Sequence, residues 1–122
     1  MSFESLNDNL YNRSEDTCFS ELEWFVMLKI EYSRHALMRI KLRSIGKNEV
    51  ERVLLSPREV YFDVVTSNMI AIGERLSRHG YWLIVVYTKS NDVYRIVTVI
   101  DVKSLNKIVQ RRIRSGRWVR IW

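Results

Sequence analysis

YWLIVVYTKSNDVYRIVTVI, residues 81–100, is the stretch whose reading decides the fold. Two runs rich in valine, isoleucine and aromatic residues flank the polar tetrad KSND (89–92), whose Asn and Asp favour a tight turn. Branched and aromatic side chains suit a pleated surface, so the stretch predicts an antiparallel hairpin. Both runs are apolar on both faces, which places them at the centre of a sheet covered from two sides.

Working outward, EVYFDVV (59–65) and NMIAIGERLS (68–77) read as further strands, with RHG (78–80) offering a glycine for the next turn. Upstream the period changes. Ser33 is a good N-cap for a helix running to Arg43, Gly46 breaks it, and NEVERVLL (48–55) forms a second short helix ended by Pro57. A last helix starts at Ser104, with Leu105, Ile108, Val109 and Ile113 on one side and Lys107, Arg111 and Arg114 on the other. The tail GRWVRIW (116–122) alternates as a strand does. Residues 17–30 read as a helix turning extended near Lys29, although WFVMLKIEY (24–32) also fits a strand; Trp24 and Phe25 are expected in the core. The expectation is an α+β domain: N-terminal helices on one face of a three- or four-stranded antiparallel meander, then a C-terminal helix and basic tail. Residues 1–30 form an acidic extension, 31–103 the core, and 104–122 the basic helix and tail.

At 122 residues the chain suffices for one core. Cys18 is the only cysteine, so no internal disulfide framework can form, in keeping with a cytoplasmic protein. The N-terminus is acidic and polar, unlike a signal peptide, and no apolar run approaches the ~20 residues of a membrane span. The net charge of +6 is unevenly spread. Residues 1–31 hold seven acids against Arg13 and Lys29, net −5, leaving +11 on residues 32–122. From Lys103 to Trp122 there are seven basic residues and no acid. Such a field attracts polyanions, nucleic acid first among them.

The first helix carries the sharpest signal. SRHALMRIKLRS (33–44) sets His35, Arg39 and Arg43 four residues apart on one face. Ala36, Leu37 and Ile40 flank this stripe on one side and Met38 and Leu42 on the other, while Arg34 and Lys41 form the ordinary wet face. A guanidinium between apolar neighbours needs a partner. Two readings stay open. Arg39 and Arg43 pair with acids such as Glu74 or Asp63, or the stripe faces a phosphate, which arginine clamps bidentately while histidine exchanges a proton.

YSRHALMRIKLRSIGKNEVERVLLSP (32–57) resembles the opening of the domain-of-unknown-function 4258 family: Ser/Thr-x-His-Ala, Arg, Arg-Gly-Ile, an acidic short helix and a proline. Ser33, His35, Ala36, Arg39, Arg43, Ile45, Val50 and Pro57 stand in the matching places; Ser44 replaces the glycine of the turn. The later strands are similar to that family's sheet and, more distantly, to BrnT toxins of the RelE-like ribonuclease fold. Ile100 stands where BrnT carries a second arginine. The resemblance implies a toxin-like, RNA-directed domain, with metal-independent endoribonuclease activity as one option. In that reading His35 carries the proton and Arg39, Arg43, Arg75 and Arg95 hold phosphate. Glu74 is a base or, preferably, the partner of Arg39, and Tyr87 or Thr98 lie opposite. The rival reading is a non-catalytic interaction module in which the stripe is a structural ion network.

Candidate nucleic-acid contacts are Arg75, Arg78, Lys107, Arg111, Arg112, Arg114, Arg117, Trp118 and Arg120, with Tyr81, Trp82, Tyr87, Tyr94 and Trp122 as further stacking candidates. RNA or another nucleic acid is the expected partner, with an antitoxin-like protein and a homodimer as additional options and no membrane. His35, His79 and Cys18 match no zinc spacing and no glycine loop cradles phosphate, so no metal or cofactor is expected.

Overall fold

The computed structural model describes residues 29–122. The elements are β1 (Lys29–Tyr32), α1 (Arg34–Leu42), α2 (Lys47–Leu55), β2 (Glu59–Asp63), β3 (Asn68–Glu74), β4 (Trp82–Ser90), β5 (Val93–Val102), α3 (Leu105–Arg114) and β6 (Trp118–Arg120). The expected helix over 17–30, with Trp24 and Phe25, lies outside the described residues except for Lys29 and Ile30, which are strand.

The central hairpin forms as its sequence requires. β4 and β5 pair antiparallel from Trp82↔Val102 to Ser90↔Val93, and Asn91 takes the left-handed turn conformation at φ 56°. β3 and β2 extend the meander. Among the described residues the sheet is nevertheless larger than expected: six strands in the order β1-β5-β4-β3-β2-β6, and mixed rather than purely antiparallel. β1 joins β5 in parallel, Lys29 opposite Val93, and β6 joins β2 antiparallel. Both additions are short strands: the alternation of residues 116–122 and of 24–32 already suited a strand, but their partners are remote in sequence, so no local pattern signals the pairing.

The helices also divide between two faces instead of sharing one. α1 and α2 cover one face, where Ala36, Ile40, Val50 and Val53 pack with Leu83, Val85, Ile96 and Val99. α3 covers the other, where Leu105 and Val109 meet Ile70, Ile72, Ile84 and the tail residue Trp118. Strands apolar on both sides demand this, since each buried aliphatic side chain contributes about 1.5–3 kcal/mol. Residues 104–122 are thus built into the same sheet and core.

Three local devices set α1 and α2. Ser33 caps α1 by accepting from the Ala36 N–H at 3.0 Å, and its hydroxyl donates to the Val97 carbonyl at 2.8 Å. Val97 lies at the β5 bulge, where the register shifts opposite Val86 and Tyr87, so the cap anchors the helix to an irregularity of the sheet. α1 ends in a Schellman turn: Ile45 N–H reaches the Ile40 carbonyl at 2.9 Å and Ser44 N–H the Lys41 carbonyl at 3.4 Å. Ser44 occupies the left-handed position at φ 52°. Gly73 lets α2 close on β3, because a Cβ there would lie 3.0 Å from the Val53 Cγ2.

Candidate nucleic-acid interface

Asp101 is the organising residue at one end of the sheet. It is the only acid between Val93 and Trp122, and its side chain is 1% exposed at the end of β5. Three arginines converge on it. Arg43 Nε donates to Oδ1 at 3.0 Å, Arg75 Nη1 to Oδ2 at 2.9 Å, and Arg78 Nη1 to Oδ2 at 3.3 Å. Arg75 is itself buried, with Nε 3.4 Å from Glu49 Oε1 and Nη2 2.7 Å from the Ser44 carbonyl. A buried guanidinium requires this saturation, since a missing partner costs several kcal/mol. Desolvation pushes the Glu49 carboxyl up, but the Ser77 hydroxyl, the Gly46 N–H and Arg75 outweigh it and hold its pKa below the ordinary value.

Arg43 and Arg78 differ from Arg75 in being half exposed, at 49% and 52%. The buried carboxylate holds one edge of each guanidinium while about half of each side chain stays exposed. Arg78 also lies 3.8 Å over the Tyr81 ring and donates to the Tyr81 hydroxyl at 3.1 Å. Around these side chains runs a shallow cleft of about 510 Å³, lined by Leu42, Arg43, Ser44, Arg75, Ser77 and Arg78. A second cleft, of about 360 Å³, shares Arg75 and continues past Glu74, His79 and Tyr81 to Trp82. A third, of about 350 Å³, shares Trp82 and ends at Lys103 and Lys107. Linked by the shared Arg75 and Trp82, the three clefts make a track across the end of the sheet from α1 to α3. Among the described residues Glu74 is the only acid in its lining, and Arg58 sits over the Trp82 ring at 5.5 Å.

The residues singled out in sequence separate in space. Arg43, Arg75 and Arg78 come together at Asp101. Glu74 does not meet Arg39: its ion-pair partner is Arg58, at 3.6 Å on the surface. Arg95 pairs with Glu31 across β5 and β1 at 3.7 Å, with both side chains exposed. Asp63 holds Arg117, not Arg39 or Arg43, through Nε contacts of 3.1 and 3.0 Å. Trp118 is buried 5.5 Å from the Tyr61 ring and so belongs to the core. Lys107, Arg111, Arg114 and Arg120 are exposed, and Arg112 is partly buried.

On α1 only Ala36 and Ile40 are buried; Leu37, Met38 and Leu42 are exposed, contrary to a stripe framed by apolar packing. His35 is exposed and Arg39 partly so. Among the described residues neither side chain makes a hydrogen bond or ion pair, whereas Ser33, Ala36 and Arg43 each have an evident structural task.

Sequence reasoning missed Asp101 and Glu49. Asp101 had a readable signal: a lone acid closing an apolar strand, inside the most basic third of the chain, must carry cations if it is buried. Lys103 was marked only as the start of the basic run, and Ser77 had no signal, because the tertiary arrangement alone brings them to the track.

Fold and site together define a small α+β domain with a mixed sheet and a basic track across one end. The sequence profile of the family described as Domain of unknown function (DUF4258) matches residues 32–110, and the chain belongs to that family. Comparison with curated proteins and with solved structures gives no match. Among the described residues no helix is long and apolar enough to cross a membrane, and no group of three His, Cys, Asp or Glu residues could hold a metal.

Proposed function

We propose that the domain binds single-stranded RNA along the track from Arg43 to Lys107. The observation that carries this reading is the half-exposed pair Arg43 and Arg78, each held at one edge by the buried Asp101. A guanidinium fixed this way keeps donors for phosphate without paying the full entropy of ordering a long side chain. Lys103 and Lys107 supply further cations on the α3 side. Tyr81, Trp82 and the guanidinium over Tyr81 offer flat surfaces on which unpaired bases stack.

The test is anisotropy of a fluorescent 12-nucleotide oligouridine across a salt series. With four phosphates neutralised, log K falls against log salt with a slope of about −3. A slope near zero, or equal binding of a neutral dextran, rejects the reading.

A toxin-like ribonuclease is the second reading, favoured by one observation. His35 and Arg39 follow the line that leads to Arg43, yet the described fold gives neither a structural partner. His35 is the proton carrier in that case, for which a positioned acid–base group contributes about 10²–10⁴-fold. Expression of wild type and His35→Ala with total RNA followed over time separates the two. Growth arrest and RNA loss that His35→Ala abolishes establish cleavage; harmless wild type with intact RNA leaves binding alone.

A further inference from the structure

The β6 edge of the sheet carries a second surface, whose reading is independent of the RNA proposal. β6 lies outermost beside β2. Val64 N–H bonds to the Arg117 carbonyl and Ile121 N–H to the Val60 carbonyl, with Phe62 opposite Val119 between them. Antiparallel alternation therefore turns the backbone groups of Trp118 and Arg120 outward. Among the described residues nothing bonds to those N–H and C=O groups. Val119 and Ile121 point to the same side of this edge and, with Trp122 and Val65, are between 49% and 68% exposed. Arg120 alternates to the other side, where its guanidinium lies 5.9 Å over the Tyr61 ring on the face that α3 covers, and Arg114 is exposed at the end of α3.

An outward row of donors and acceptors beside an exposed apolar strip is the surface to which an extended peptide adds as a strand. The charges choose the occupant. A second copy would bring further arginines of the same sign to this edge, whereas an acidic strand offsets the charge of Arg120 and of the exposed Arg114. We propose that β6 receives an extended segment of a partner protein that alternates acidic and apolar residues, forming a seventh strand. Its backbone pairs with Trp118 and Arg120, its apolar side chains cover Val119 and Ile121, and its carboxylates offset the charge of Arg120 and Arg114.

The experiment is amide NMR of the whole chain titrated with a capped octapeptide alternating Glu and Val, with its Lys–Val counterpart as control. The Glu–Val peptide is expected to shift and slow the exchange of the Trp118 and Arg120 amides, with the Lys–Val peptide about ten-fold weaker or worse. Arg120→Pro removes one outward donor without touching the bonds to β2 and abolishes the effect, while the Phe62 and Val64 amides stay protected. Should that variant lose protection at Phe62, the pair Arg114→Glu and Arg120→Glu serves instead and reverses the preference toward Lys–Val. Several results overturn the proposal: equal response to both peptides, shifts confined elsewhere, or no reversal in the double variant. So does oligouridine moving the β6 amides where the peptide does not. A Glu–Val response seen only after residues 1–28 are deleted also overturns it, by assigning the edge to the chain's own acidic segment.

Discussion

Arg75 donates to Asp101 at 2.9 Å with both side chains almost fully buried, at 4% and 1% exposure. This pair joins β3 to β5 at the end of the sheet and holds the exposed Arg43 and Arg78 in place through the same carboxylate. An interior ion pair is sensitive to losing one member, because the other stays behind without its charge partner. Asp101→Ala is expected to cost about 3–5 kcal/mol and Asp101→Asn about 1.5–3 kcal/mol, read from urea unfolding midpoints. A loss under 1 kcal/mol for Asp101→Ala contradicts the described network.

Ser44 pays for its position in the left-handed turn after α1, at φ 52°. Glycine adopts that conformation without a Cβ clash, and the family pattern that the sequence resembles has glycine there. Ser44→Gly should stabilise the fold by about 0.5–1 kcal/mol, less than the full strain because glycine gains freedom when unfolded. A calorimetric midpoint that rises by a few degrees is the expected sign; a fall counts against the turn.

Gly73 is the opposite case. Val53 presses α2 onto β3 so closely that a Cβ would meet its Cγ2 at 3.0 Å and its Cγ1 at 3.3 Å. Gly73→Ala must push the helix outward, at about 1–3 kcal/mol by the cost of overpacking. The companion change Val53→Ala makes room, so the double variant is expected to lose less than the sum of the two single ones. Strict additivity would count against direct contact.

Acid should unfold the domain through Asp63 and Glu49. Burial raises the Asp63 pKa, but Arg117 and the backbone N–H groups of Thr66 and Val65 outweigh it and hold the carboxyl below its ordinary value; Glu49 is lowered in the same sense. A carboxyl lowered in the folded state contributes stability that is complete above the unfolded value of about 4. That contribution is lost as the pH falls through the lower folded-state values. Asp63→Asn is expected to lower the neutral plateau and flatten the acid limb, followed by denaturant midpoints from pH 6 to 2. An unchanged limb argues against the Asp63–Arg117 pair.

RNA affinity should depend separately on the cations of the track. Arg78→Ala and Lys107→Ala each remove one phosphate contact, reducing the salt slope by about 0.7 apiece, and together by about twice that. Arg95→Ala, in the Glu31 pair on the β1–β5 edge, leaves the slope unchanged. If Arg95→Ala weakens binding as much as Arg78→Ala, the nucleic acid lies across the sheet edge instead.

Much of the fold is legible because its signals are local. The capped helix at Ser33, the stop at Pro57, and the hairpin around Asn91 each follow from conformational preferences of a few adjacent residues. The site was legible only in pieces. Arg43 stood out on the helical wheel and Arg75 and Arg78 by charge, but their meeting point, Asp101, lies 58 residues from Arg43. Glu74 and Arg95 looked equally suitable and pair elsewhere, since a charged residue near a turn carries no mark of which cation or anion it will meet.

By itself the sequence determined the element types and the two-faced apolar character of β4 and β5, since periodicity and turn chemistry act over a few residues. It also determined the basic bias of residues 32–122 and membership of the family. Only the tertiary structure decided that β1 pairs in parallel with β5, that helices cover both faces, and that one buried aspartate gathers three arginines. Those outcomes depend on hydrogen-bond ladders and desolvated charges that find partners across tens of residues. The chain declares which side chains need such partners; the folded sheet decides which ones they get.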